Sequence, residues 1–225
     1  ARAPRYLETS KGRVALVAMA SSFNDAGRAT EARGEIPARP GLSALRTRRI
    51  FVVPPDLMDA ARALRVAYPS GRSLYPPLGE TADEVRVLGE WFREANVASP
   101  RFSYEMNSDD LEEILRSIRI GKRNSNFLIA AIHSHETATP IDIHADPEPA
   151  DFLSELAHAA IDNGADSFVG SGVHVLRGIE IYKGRPIFYG LGEFFRQMDG
   201  VLGPYTGEEP SSSRPLRNSP PIKYQ

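Results

Sequence analysis

Phe127-Leu128-Ile129-Ala130-Ala131-Ile132-His133-Ser134-His135-Glu136 is the stretch on which the reading of this chain turns. An unbroken apolar run of this length fits a buried strand, and the polar residues after it mark the strand's carboxyl end. A second run, Ser167 to Gly170, breaks in the same way into Ser171-Gly172-Val173-His174. All the histidines of the chain, His133, His135, His144, His158 and His174, fall between these two breaks or within them, together with Glu136, Asp142 and Asp146. Imidazole and carboxylate groups delivered at strand ends are how an α/β protein gathers ligands for a divalent ion.

Working outward, strand-like and helix-like patterns alternate. Arg13 to Met19 is an apolar strand that ends in Ala20-Ser21-Ser22-Phe23 and a polar, Gly-rich loop through Arg39-Pro40-Gly41. Arg49 to Val53 is short and β-branched, and Pro54-Pro55 opens a helix from Asp56 to about Val66, proline being harmless in a first turn. Tyr68 to Gly79 reads as an irregular connection. Val85, Leu88, Trp91, Phe92 and Ala95 recur at three- and four-residue spacing, which predicts an amphipathic helix over Thr81 to Val97 with Trp91 and Phe92 in the core. Asn107 caps a further helix, Asp110 to about Arg119. Ala150 to Asn163 is a helix closed by Gly164. Gly178 to Tyr182 and Arg185 to Tyr189 are strands joined by a tight turn at Lys183-Gly184. From Gly200 to Gln225 Pro, Ser, Gly and charge dominate, which predicts a flexible tail after a domain over 1–199.

This alternation implies an α/β fold with a largely parallel sheet covered on both faces, and an antiparallel edge from the Lys183-Gly184 hairpin. Ligands then collect beyond the carboxyl ends of the strands. Ser21-Ser22, His133 to Glu136, Ser171 to His174 and Gly190-Leu191-Gly192-Glu193 all meet that condition.

Composition narrows the function classes. The 225 residues carry 27 basic and 29 acidic side chains, so nothing marks a nucleic-acid partner or an anionic membrane surface. Without cysteine, disulfides and thiolate metal sites are excluded. Neither a Gly-x-Ser-x-Gly nucleophile turn nor a Gly-rich nucleotide loop occurs, which argues against a serine hydrolase or an ATP-dependent ligase. No apolar run is long enough to span a bilayer or to form a signal-peptide core. A chain that opens on Ala1 rather than Met reads as a piece of a longer protein, or one that has lost an upstream segment.

IHSHE, the helix AHAAIDNGAD and VGSGVHVLRGIEIYKGRPIFYGLGEFF resemble the C-terminal half of the CapA family of poly-γ-glutamate capsule synthesis proteins, which itself resembles the metallophosphatase superfamily. KGRVALVAMASSF and ARPGLSALR extend the resemblance from about Lys11 to about Gln197. It implies a layered, calcineurin-like metallophosphatase-type α/β fold and a divalent metal site of manganese, iron or zinc, mononuclear or dinuclear. It also implies a place at the cell envelope or its extracellular face, an anionic polymer or phosphorylated precursor as substrate, and membrane-bound capsule synthesis proteins as partners. Three departures from the family pattern stand out. Ser171 replaces the first imidazole of a Gly-His-x-Pro-His turn, Glu193 replaces the amide of Ser-Leu-Gly-Asn-Phe, and the Asp- and Asn-bearing N-terminal strands of the family are expected to be missing.

On a strand His133 and His135 project to one face, Ser134 and Glu136 to the other, so one of these pairs faces an ion directly. Taken with the resemblance, His133, His174 and Glu193 are read as metal ligands, and His135 and Glu136 as catalytic groups. Ser22, Arg39 and Arg46 are read as substrate-binding residues, the arginines holding phosphate or carboxylate. His158, inside a helix, is read as structural and His144 as an exposed loop residue, while Arg177 and Glu180 are expected to pair across the hairpin edge. The activity expected is metal-dependent hydrolysis or transfer of the phosphoesterase type. The alternative is a non-catalytic polymer- or partner-binding component of an envelope assembly.

Overall fold

The computed structural model describes residues 3–32, 34–67, 81–140 and 146–193. The expected connection at Tyr68 to Gly79, Asp142, His144 and the expected tail 200–225 lie outside the described residues.

Among the described residues six strands make the main sheet: β1 (Arg5–Thr9), β2 (Gly12–Ala20), β7 (Phe127–Ser134), β8 (Ser167–Gly172), β9 (Ile179–Tyr182) and β10 (Arg185–Phe188), in the order β1-β2-β7-β8-β10-β9. The central strands β2, β7, β8 and β10 are mutually parallel, while β1 and β9 are antiparallel edges. The Lys183-Gly184 hairpin is present, with both residues at positive φ (50° and 74°), as a tight turn matched to strand twist requires. β1 takes the outer edge of β2 although nothing in its exposed sequence marks it as a strand.

Helices α2 (Ser108–Arg123) and α3 (Asp151–Asp162) pack on this sheet. Alternation puts Ala15, Val17 and Met19 of β2 and Leu128, Ala130 and Ile132 of β7 on one face, where they meet Ile114, Ile118, Phe152, Leu153 and Leu156 in the main core. Fully burying a side chain of this size contributes about 1.5–3 kcal/mol. The other face is less covered than expected. Leu16 and Phe127 remain 40% and 42% exposed, so among the described residues the sheet is not sealed on both sides.

A second sheet, order β4-β5-β3-β6, is built from β3 (Thr47–Val53), β4 (Glu84–Val87), β5 (Glu90–Glu94) and β6 (Arg101–Met106), with α1 (Pro55–Ala67) against β4 and β5. Here the expected helix over Thr81 to Val97 is replaced by a hairpin that turns at Leu88-Gly89, φ 51° and 93°. Its apolar residues satisfy both periods. Val85 and Val87 alternate with exposed Arg86, and pairing with β3 decides for the strand. Phe92 packs on Phe51 in a small core, as its apolar character suggests, whereas Trp91 carries the guanidinium of Arg48 on its ring. The sheet is tied to α3 through Asp151, which accepts from the Tyr104 amide (3.0 Å) and the Ser103 hydroxyl (2.6 Å). α2 begins as expected at Asn107, whose side chain accepts from the Asp110 amide.

Arg48, Arg93, Glu84 and Glu105 form an ion-pair network on this second sheet. Burial alone would push the Glu105 carboxyl up, but hydrogen bonds from Arg93 and Arg48 outweigh it and hold the group below its ordinary range. A depressed carboxyl contributes stability that is complete above its unfolded pKa and is lost as pH falls through the folded value. Glu105→Gln is therefore expected to destabilise near neutral pH, and to do so less at a pH below the ordinary carboxylate value of about 4.3. Urea denaturation at the two pH values checks this; a difference independent of pH would contradict it.

Candidate metal centre

Because β2, β7, β8 and β10 run the same way, the residues that follow them emerge on one edge of the sheet. The register aligns Ala20 of β2 with His133 of β7, and His133 with Ser171 of β8. His133 and His135 lie on the same side, with their Nε2 atoms 3.0 Å apart and ring centroids 4.8 Å apart. His174, beyond β8, brings its ring centroid to 6.0 Å from that of His135. Its Nδ1 stands 3.3 Å from Oε1 of Glu193, which arrives from beyond β10. Four of the expected site residues are thus gathered from three strand ends.

Gly172 makes this approach possible. It adopts φ +105°, and a Cβ there would stand 2.7 Å from the Ser134 carbonyl oxygen and 2.9 Å from the His135 ring. Any side chain would strain the backbone and displace the imidazole.

Ser134 and Glu136 occupy the opposite side, as alternation predicts, and form a clamp of their own. Oε2 of Glu136 accepts from the hydroxyls of Ser21 (2.8 Å), Ser22 (2.9 Å) and Ser134 (2.7 Å). The Ser22 hydroxyl accepts in turn from the His135 amide at 2.7 Å. The end of β2 is thereby fastened to the end of β7, and the backbone that carries His135 is fixed. Behind the clamp, buried Arg177 donates from Nη2 to the Glu136 carbonyl (2.9 Å) and from Nε to that of Asp146 (3.4 Å). Burial lowers its pKa, against the pull of Asp146 and Glu136. The expected Arg177–Glu180 pair is not made: Arg177 turns inward, while Glu180 accepts from Tyr189 (2.5 Å) and meets His158 (2.8 Å).

Glu136→Ala removes one acceptor from three hydroxyls, two of them, Ser21 and Ser134, buried. The expected cost is about 1–3 kcal/mol in urea denaturation, with the loss concentrated at this edge in amide exchange. Unchanged exchange at Ser22 and His135 would show that the clamp holds nothing.

The remaining expected residues are placed differently. The Arg46 guanidinium grips buried Asp110 through Nε (2.6 Å) and Nη2 (3.0 Å). The Arg39 guanidinium donates to the backbone carbonyls of Asp25 and Arg28 within its own loop. Both are engaged in fastening chain segments. The Ser171 hydroxyl, standing where the family pattern has an imidazole, donates to the Ile132 carbonyl at 3.0 Å. His158 stacks on Tyr182, in keeping with a structural role. Ser21 and Ser134 lie in the strand-end segments that the sequence singles out, without a role of their own, while the inward turn of Arg177 carries no signal in the sequence.

Three imidazoles and a carboxylate are the donor chemistry of a late divalent ion. His133 and His135 meet through their Nε2 atoms, and His174 meets Glu193. As the side chains stand, no three His, Asp or Glu groups among the described residues close on a single point. The fold supplies the donors as two touching pairs.

The fold is of layered α/β type, with imidazoles at the ends of parallel strands. The family model for bacterial capsule synthesis protein PGA_cap matches residues 1–198, and the chain belongs to that family. It is 45% identical over 195 residues to an uncharacterized protein, y4sH, of Sinorhizobium fredii, covering 87% of this chain and 40% of that one. It is 51% identical over 85 residues to the PGA biosynthesis protein CapA of Bacillus subtilis, covering 38% of this chain and 20% of the relative. With the capsule biosynthesis protein CapA of Bacillus anthracis the identity is 32% over 122 residues, 51% of this chain and 28% of the relative. The chain spans less than half the length of these relatives.

Proposed function

We propose that this chain carries the metal-binding centre of a CapA-like capsule synthesis protein, a phosphoesterase-type hydrolase or transferase acting at the cell envelope. Its substrate would be poly-γ-glutamate or a phosphorylated precursor of it, and membrane-bound capsule synthesis proteins would be its partners. The observation that carries the reading is the convergence of His133, His135, His174 and Glu193 from three strand ends.

His133, His174 and Glu193 are the residues that would hold a divalent ion of manganese, iron or zinc. Such an ion, when bound, polarises the electrophile and lowers the pKa of coordinated water. His135 then serves proton transfer. Its ring lies beside that of His133, with centroids 4.8 Å apart, and an imidazole so placed next to a metal ligand would hand a proton to a departing oxygen. Glu136 enters as a positioning residue, since Oε2 already accepts from three hydroxyls. Envelope location rests on the family; no described helix is long and apolar enough to cross a membrane.

A second reading, a non-catalytic binder of polymer or partner, draws on Ser171, whose hydroxyl is spent on a backbone carbonyl where the family pattern supplies a ligand. Metal analysis of the purified chain after loading with manganese, iron or zinc separates the two, combined with hydrolysis of an aryl phosphodiester. Stoichiometric metal and metal-dependent turnover are expected. A chain that retains no metal and still binds a γ-linked oligoglutamate is the binder.

A further inference from the structure

Next to the imidazole edge lies a cleft of about 480 Å³ whose walls come from both sheets. Ser22, His135, Glu136 and Thr137 form the side that belongs to the candidate metal centre. Thr47 and Arg49 of β3 and Phe102 and Tyr104 of β6 form the other. Arg49 is the arginine among its described lining residues.

Thr47 and Arg49 share a face of β3 by alternation, and Arg49 is paired in register with Tyr104. The guanidinium carbon lies 5.0 Å from the centre of the Phe102 ring, which fixes the plane of the fork. Nε (3.3 Å) and Nη2 (2.7 Å) meet the carboxylate of Glu90, and Nη1 takes no part in that pair. Both partners are about half exposed, so the pair is weak and readily exchanged for another carboxylate. Tyr104 adds a hydroxyl that donates to the Thr137 carbonyl and stays neutral, its pKa pushed up to about 12 by burial and by Glu136.

We infer that Arg49 is the specificity-determining residue of this cleft, and that its guanidinium takes one free carboxylate of a γ-linked glutamate chain laid against the metal edge. The inference rests on the function proposed above and adds to it the residue that selects the substrate. Among the described lining residues Arg49 carries the guanidinium, a planar fork that matches a carboxylate bidentately. A γ-linked chain leaves one carboxylate per residue free along its length, and the aromatic wall takes the methylene stem between them. Ser22, Thr47 and Thr137 offer hydroxyls to the amide groups.

The test is calorimetric binding of a short γ-linked oligoglutamate and, separately, of inorganic phosphate to the whole chain. Wild type, Arg49→Gln, Arg49→Lys and Glu90→Gln are compared, and metal content is measured on the same samples. Arg49→Gln is expected to weaken oligoglutamate binding about 10- to 100-fold, with Arg49→Lys between it and wild type. Glu90→Gln is expected to bind as tightly as wild type or tighter, because it frees the guanidinium from its competitor. A purely structural Arg49–Glu90 pair predicts instead that both variants lose equally. Metal content should be the same in all four proteins; its absence throughout speaks against the metal centre and leaves the Arg49 comparison readable. Oligoglutamate binding unchanged in Arg49→Gln, no binding to wild type, or Arg49-dependent binding of phosphate in preference to oligoglutamate would each overturn the assignment.

Discussion

His133→Ala and His174→Ala are each expected to lower divalent-metal affinity more than about 100-fold, beyond the 10- to 100-fold that loss of an outer-shell partner typically costs. Each removes one of the two imidazoles in the proposed ligand set of His133, His174 and Glu193. The hydroxyl of Ser171, the adjacent polar group on β8, is spent on the Ile132 carbonyl. Two controls separate ligand loss from unfolding. Ser171→Ala should leave metal content unchanged, as should His158→Ala, whose ring is stacked on Tyr182. Metal analysis and competitive titration of the five proteins read the result directly. If both imidazole variants retain the wild-type stoichiometry, the convergence at the strand ends has no metal-binding consequence and the binder reading stands.

Asp166→Ala should cost about 2–4 kcal/mol of stability while leaving metal affinity untouched. The carboxylate is 3% exposed. Oδ2 accepts from the Leu128 amide at 2.8 Å and from Lys122 Nζ at 2.7 Å, and Oδ1 pairs with Arg185. One side chain therefore joins the start of β7, the end of α2 and the start of β10. Removal leaves a buried amide without its acceptor and two cations without their counter-charge. Lys122 and Arg185 are partly exposed, and their rehydration sets the upper end of the range. A loss of this size is a large share of the 5–15 kcal/mol typical of a domain. Asp166→Asn, which retains one acceptor, should lose less. Urea denaturation provides the measurement; a change below about 1 kcal/mol would mean that water replaces the carboxylate at this position.

Asp166 lies at the amino ends of the parallel strands and the imidazoles at their carboxyl ends, so the two experiments report on opposite edges of one sheet. The amino edge holds the strands in place; the carboxyl edge presents side chains. The clamp of Ser21, Ser22 and Ser134 on Glu136 is the exception, a structural device built into the functional edge.

The parallel strands and both sheet-packing helices were legible because their signals are local. Phe127 to Ile132 is an unbroken apolar run, Asn107 is an N-cap, and Lys183-Gly184 is a turn that tolerates positive φ. Strand direction then places His133, His135, His174 and Glu193 at one edge. The second sheet was not legible. Val85, Leu88, Trp91 and Phe92 fit a helix as well as a hairpin, and only pairing with β3, more than thirty residues away, selects the strand. Strands β1 and β6 escaped for the same reason, since an exposed or half-buried strand has little hydrophobic period of its own.

The sequence by itself determined the layered α/β class and the edge at which imidazole and carboxylate groups would meet, because side-chain period and strand polarity are properties of short segments. Tertiary structure alone decided which arginine faces that edge. Arg39 and Arg46 are drawn off by backbone carbonyls and by Asp110, while Arg49 reaches the cleft from a second sheet. A guanidinium on a long, rotatable stem goes to whichever acceptor the fold brings nearest, and that distance is not written in any stretch of neighbouring residues.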